Sequence, residues 1–267
     1  MLLPSRPDRA GPQLRRAQCT PHKNGPCRRA EHLALGGRLV HNAGMIPVQN
    51  PWLHTPRQAP HVLPQDKPAV DRWNASLSRA DPRRIELHVL PEPVLGLHDA
   101  PVVVLMANPG STPGDRHIPR EWVTQVNWDA LMTPGGTPMY SLDDRAATFP
   151  GGIWWRQATR GLLAPGRTYA DLAAKILVVQ YHGYHSAKAS LPREDLPSQD
   201  FAIALVTAAM SRDAAIILGT ASKFWLTRVP ALRSYRFLVT KNSPQAKSLS
   251  PGNLGAGYAI VTAALDR

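Results

Sequence analysis

Three clusters of polar residues, each following an apolar run, carry the chemistry available to this 267-residue chain. Asn108 follows Val102 to Met106 and stands in an Asn-Pro-Gly turn. Gln180, Tyr181, His182, Tyr184, His185 and Ser186 follow Ile176 to Val179. Lys241, Asn242, Ser243, Lys247, Ser248, Leu249 and Ser250 follow Tyr235 to Thr240. A neutral carboxamide orients a water or pairs with a polar edge, imidazoles donate or accept a proton, and lysines with hydroxyls hold phosphate. Asp115, seven residues beyond Asn108, is a second candidate for activating water.

Such residues converge only if the runs before them are strands of one sheet. Val102 to Met106, Lys175 to Tyr181, Ala214 to Gly219 and Tyr235 to Thr240 are short, mainly apolar segments that read as buried parallel strands. Helical spacing separates them: around Val70 to Leu77, from Ile153 to Leu163 after Phe149-Pro150-Gly151-Gly152, at 170–175, 198–211 and 222–227, and from Leu254 to Leu265. The pattern predicts an α/β fold, a three-layer α/β/α sandwich around a mainly parallel four-stranded sheet, with the polar clusters at the carboxyl rim where ligands bind in open sheets. Alternation over 84–89 predicts a further half-buried edge strand, and 110–136 reads as a long loop. Residues 1–70, crowded with Pro, Arg and Gln, read as a basic arm, and 71–267 as the globular domain.

The chain carries 31 Lys and Arg against 19 Asp and Glu, a net charge of +12, which favours a polyanionic partner such as DNA. Of these, 12 basic and 4 acidic residues precede residue 81, so two-thirds of the excess lies in the first third. Cys19 and Cys27 are too few for a disulfide framework or a four-thiolate cluster, and with His22 and His32 they match no zinc-finger spacing, so no metal and no other cofactor is expected. No apolar run approaches the roughly 20 residues of a membrane span, which predicts no membrane partner; the low cysteine count fits a cytoplasmic location, and a monomer is expected. Neither GxGxxG nor GxxxxGK[ST] follows any strand, against dinucleotide and P-loop readings.

The order of Ala107-Asn108-Pro109-Gly110, Phe149-Pro150-Gly151-Gly152-Ile153-Trp154-Trp155 and Asn242-Ser243-Pro244 through Ser250 resembles the uracil-DNA glycosylase superfamily, most of all its mismatch-specific uracil and thymine branch. The second motif is permuted, Asn-Ser-Pro in place of Asn-Pro-Ser. The resemblance spans roughly residues 84–265 and implies a DNA glycosylase that flips a damaged, mismatched or 5-modified pyrimidine from the helix and hydrolyses its N-glycosidic bond. It further implies that Asn108 orients the water, that Gln180 reads the base edge, and that His182, His185 or Asn242 donates to the departing base.

Gly110 stands where the strictly uracil-specific branch has an aromatic ring, so a 5-substituent would be admitted. Trp154, Trp155, Tyr181 and Tyr184 are candidates for stacking. Lys241, Lys247, Ser243, Ser248 and Ser250 are candidates for phosphate contacts, and Leu249 for the wedge that fills the vacated stack. No lysine is predicted at a Schiff-base position, so a monofunctional enzyme is expected. Its purpose is open between repair and defence against phage DNA carrying hypermodified bases such as glucosylated hydroxymethylcytosine. A non-catalytic nucleic-acid or nucleotide binder and a free-nucleoside hydrolase remain the alternatives.

Overall fold

The computed structural model describes residues 49–112, 120–189, 192 and 194–267. Asp115 and the Cys19, His22, Cys27, His32 group lie outside them. In chain order the elements are α1 (Lys67–Ala75), β1 (Val94–Leu95), β2 (Val102–Met106), α2 (Arg120–Met132), α3 (Pro150–Thr159), α4 (Tyr169–Lys175), β3 (Ile176–Gln180), α5 (Gln199–Ser211), β4 (Ala215–Leu218), α6 (Ser222–Arg228), β5 (Leu238–Thr240), α7 (Pro251–Leu254) and α8 (Gly257–Leu265).

The sheet has five strands in the order β1-β3-β2-β4-β5, not the four expected. β3, β2, β4 and β5 are mutually parallel, with Met106 opposite Gln180 and Leu105 opposite Leu218. The added strand, β1, runs antiparallel to β3 at the edge. Alternation along the strands divides the core in two. Val103, Leu105, Leu177, Val179 and Ile216 face one way, onto Val70 of α1, Phe201 to Ala209 of α5 and Trp225 of α6. Val102, Val104, Ile176, Val178 and Ile217 face the other way, onto Trp155 and Ala158 of α3, Leu172 of α4 and Val261 and Ala264 of α8. The sheet thus has a helical layer on each face, and its central strands are apolar throughout because both sides are covered.

Three expectations are corrected. Residues 84–89 form no strand, because their backbone groups are satisfied elsewhere. Ile85 N–H donates to Asn74 Oδ1 at 2.9 Å, Glu86 N–H to the His185 carbonyl at 2.9 Å, and the Leu87 carbonyl accepts from His61 N–H at 2.7 Å. The stretch read as a loop over 110–136 contains α2, with Asn127, Ala130 and Leu131 buried. The packed body also begins before residue 71. Trp52, Val62, Leu63 and Asp66 are buried, and Asp66 accepts from Tyr184 Oη at 2.7 Å and Ser198 N–H at 3.0 Å.

Candidate active site at the switch point of the sheet

β2 is followed in sequence by its neighbour on one side, β3, and the chain then crosses to β4 on the other side. The connections that leave β2 and β4 therefore run to opposite faces of the sheet, which is where open α/β sheets leave a crevice. A cavity of about 340 Å³ lies there. Val104 and Met106 of β2, Gly219 and Thr220 after β4, Trp154 and Trp155 of α3, and Lys241, Gln245, Lys247 and Leu249 from the loop after β5 line it. Pockets for small molecules span roughly 300–1,000 Å³, so one planar ring with its substituents fits.

Beyond the strands the β2 and β3 chains stay zipped. Tyr181 N–H donates to the Met106 carbonyl at 2.9 Å, His182 N–H to Ala107 at 3.1 Å and Ser186 N–H to Pro109 at 3.3 Å. Thr220 Oγ1 accepts Ala107 N–H at 2.8 Å on the β4 side. These bonds hold Asn108, which is only 8 % exposed. Its Nδ2 donates to Ser186 Oγ at 2.9 Å, to the Pro109 carbonyl at 2.9 Å and, more weakly, to the Tyr184 carbonyl at 3.4 Å. Asn108 Oδ1 is buried without a hydrogen-bond partner among the described residues. Gln180, 4 % exposed, likewise has a buried, unpartnered Oε1, and its register with Met106 puts it on the cavity side of the sheet. Two amide acceptors on adjacent strand ends thus lack donors, each a cost of about 1–3 kcal/mol that a bound donor would relieve.

Trp154 is half-buried against Trp155, edge to face with ring centroids 4.6 Å apart. Their helix is seated by Gly152, where a Cβ would come within 1.9 Å of the Ala146 carbonyl. Lys241 is half-buried, donates to the Ala246 carbonyl at 2.6 Å, and burial pulls its ammonium below the usual lysine range. Lys247 bonds Gln157 Oε1. No carboxylate lines the cavity among the described residues, which leaves it cationic.

Trp154, Lys241 and Lys247 line the cavity, whereas Asn108, Gly110 and Gln180 stand at the neighbouring β2 and β3 ends and are not among its lining residues. At Gly110, exposed, a Cβ would meet nothing within 4 Å among the described residues. The remaining candidates are placed differently. Tyr181 falls on the opposite face of the sheet, packed edge to face on Trp225 at 5.2 Å. His182 is buried, and its Nδ1 accepts Tyr184 N–H at 3.3 Å, a turn-stabilising contact. Tyr184 is committed to Asp66. His185 donates from Nδ1 to the Gly110 carbonyl at 2.9 Å, and its buried Nε2 has no hydrogen-bond partner among the described residues.

Asn242 turns its amide onto the Gly252 carbonyl at 3.0 Å and does not line the cavity. Leu249 is 3 % exposed and packs into the core, so it is a wall and not a wedge. Ser243 is exposed, while Ser248 and Ser250 are half-buried beside the loop. That loop is organised by a residue the sequence did not single out, Asn253. Its Oδ1 accepts Ser243 N–H at 2.8 Å and its Nδ2 donates to the Ser248 carbonyl at 2.7 Å. Gly219 and Thr220 were also missed, although they end the third apolar run as Asn108 ends the first.

No family model matches the chain, and no match was found among curated proteins or solved structures. Among the described residues no helix is long and apolar enough to cross a membrane, and no group of three metal-ligating side chains is present.

Proposed function

We propose that the protein is a DNA glycosylase of the uracil-DNA glycosylase kind, hydrolysing the N-glycosidic bond of a flipped pyrimidine. The observation that carries the reading is the orientation of Asn108. Three acceptors surround its Nδ2, and Ser186 Oγ spends its own proton on the Lys188 carbonyl at 2.9 Å, so the amide cannot be turned over. Its Oδ1 is the end left for a water. A neutral amide holds a nucleophilic water without taking its proton, which suits a reaction whose sugar ionises early and makes a slow enzyme.

The remaining parts follow from chemistry the rim supplies. Gln180 would accept a hydrogen bond from the base edge, Trp154 would stack on the ring, and Lys247 would offset negative charge on the departing base and flanking phosphates. The open space at Gly110 supports a substrate with a 5-substituent. The net charge of +12 supports a DNA partner.

Incubation with duplexes carrying uracil, a thymine mismatch or glucosylated hydroxymethylcytosine, followed by alkali cleavage of abasic sites, tests the reading. Base release from a 5-substituted pyrimidine, lost in Asn108→Ala while DNA affinity persists, is expected. Release from uracil alone would favour repair over defence. Unchanged release by Asn108→Ala would overturn the proposed role, and DNA binding with no release from any duplex would leave a non-catalytic binder.

A further inference from the structure

We propose that Lys241 is an amine nucleophile that forms an imine with the C1′ aldehyde of an abasic deoxyribose, adding strand cleavage to base removal. The choice of aldehyde rests on the glycosylase reading, because an abasic sugar is what that reaction leaves in the site. It replaces the expectation of a monofunctional enzyme, and of a solvent-facing phosphate contact for this lysine.

The argument starts from what Lys241 lacks. It forms no ion pair with any carboxylate among the described residues, whereas Lys67 is paired with Asp71 at 2.5 Å. Its Nζ hydrogen bond goes to a backbone carbonyl, that of Ala246. A neutral amine still donates to that carbonyl, more weakly than an ammonium, and keeps its lone pair for the other side. Val104, Met106, Trp154, Trp155 and Leu249 line the cavity with Lys241, beside Thr220 and Gln245, and this mainly apolar surround solvates a charge on its amine less well than water does. Lys241 directly follows β5, so its backbone is fixed by the sheet, and Asn253 holds the loop that supplies its carbonyl acceptor, through a 3.4 Å contact to the same Ala246 oxygen.

The steps balance without an oxidant. The Nζ lone pair adds to C1′ of the open-chain sugar, and the carbinolamine loses its oxygen as water to give a protonated imine. A solvent water takes a C2′ proton, the freed pair becomes the C2′–C3′ double bond, and the C3′–O bond breaks with its electrons leaving on the 3′ phosphate. One water then hydrolyses the imine, returning the amine and an unsaturated aldehyde, so the water released first is consumed last.

The full chain is incubated with a duplex containing a preformed abasic site and sodium cyanoborohydride, which reduces an imine to a permanent bond. A covalent protein–DNA adduct, mapped to Lys241 by peptide mass spectrometry, is expected, with at least a tenfold loss in Lys241→Arg. Absence of an adduct, or its mapping to Lys247 or another amine, overturns the proposal. The mapping uses the unaltered protein, so it stands even if the variant misfolds. Because the abasic site is supplied, excision is not needed. Adduct without base release from any duplex in a parallel assay would uphold the amine and overturn the excision reading. Base release without adduct would do the reverse.

Discussion

Asn108 and Ser186, 78 residues apart, are joined by a 2.9 Å hydrogen bond whose direction is set by a third group, the Lys188 carbonyl that takes the serine proton. A relay of this kind fixes which end of an amide faces a ligand. Asn108→Asp would put a carboxylate against the Pro109 and Tyr184 carbonyl oxygens, with no proton to offer them. We expect urea denaturation to show a loss of at least about 1 kcal/mol, with base release falling roughly a hundredfold or more as the water position is lost. A stable variant with faster release would show that a carboxylate is tolerated there.

Gly110 offers the opposite case, since a Cβ added there meets nothing within 4 Å among the described residues. Gly110→Tyr should fold within about 0.5 kcal/mol of the parent. Its ring would occupy the space that a 5-substituent needs. Competition between uracil and a 5-substituted pyrimidine in otherwise identical duplexes should shift at least tenfold toward uracil, and an unchanged ratio would separate Gly110 from substrate choice.

Gly219 is crowded where Gly110 is open. A Cβ there would stand 2.4 Å from the Leu105 carbonyl and 2.6 Å from Met106 Sδ, in the cavity floor. Gly219→Ala must push the β4 end away from β2, at a cost of about 1–3 kcal/mol by the usual scale of overpacking. Thermal melting reads the loss. Base release should fall with it, because Thr220, next in sequence, holds Ala107 N–H.

Asp66 makes stability depend on pH with an unusual sign. Burial raises its carboxyl above the ordinary 3.8, outweighing the bonds from Ser198 and Tyr184 that pull it down. The folded chain therefore binds this proton more tightly than the unfolded chain, and the stabilisation present at acid pH is lost as pH rises through the raised folded value. Denaturation of the parent and of Asp66→Asn at about pH 4.5 and about pH 7 should show the parent losing more between the two. An equal change in both would remove Asp66 as the cause.

Much of the sheet was legible because β2, β3 and β4 are continuous β-branched runs, a pattern produced only by burial on both faces. The stretch 84–89 misled for a related reason. It alternates as an edge strand does, yet its N–H groups reach Asn74 and His185, partners that local pattern cannot reveal. Helix α2 was hidden by the prolines that flank it. At the rim, Asn108 and Gln180 were readable as polar residues ending apolar runs. Tyr181 was not, because one residue of register sends it to the other face, onto Trp225. Leu249 was misassigned because apolar residues in a loop are equally suited to entering DNA and to closing a core. Asn253 gave no signal at all, since a loop clasp needs only an amide at the right distance.

The Trp52 indole lies directly under the turn at Gly183, where even one added carbon would strike it at 2.8 Å, and edge to face with Tyr184 at 5.3 Å. The segment that carries it is distant in sequence from every polar residue of the rim, yet it is the floor on which the 182–186 turn rests. A fragment trimmed to begin at residue 71 would forfeit that ring together with Asp66, and the carbonyl and hydroxyl that grip Asn108 would lose their footing from beneath.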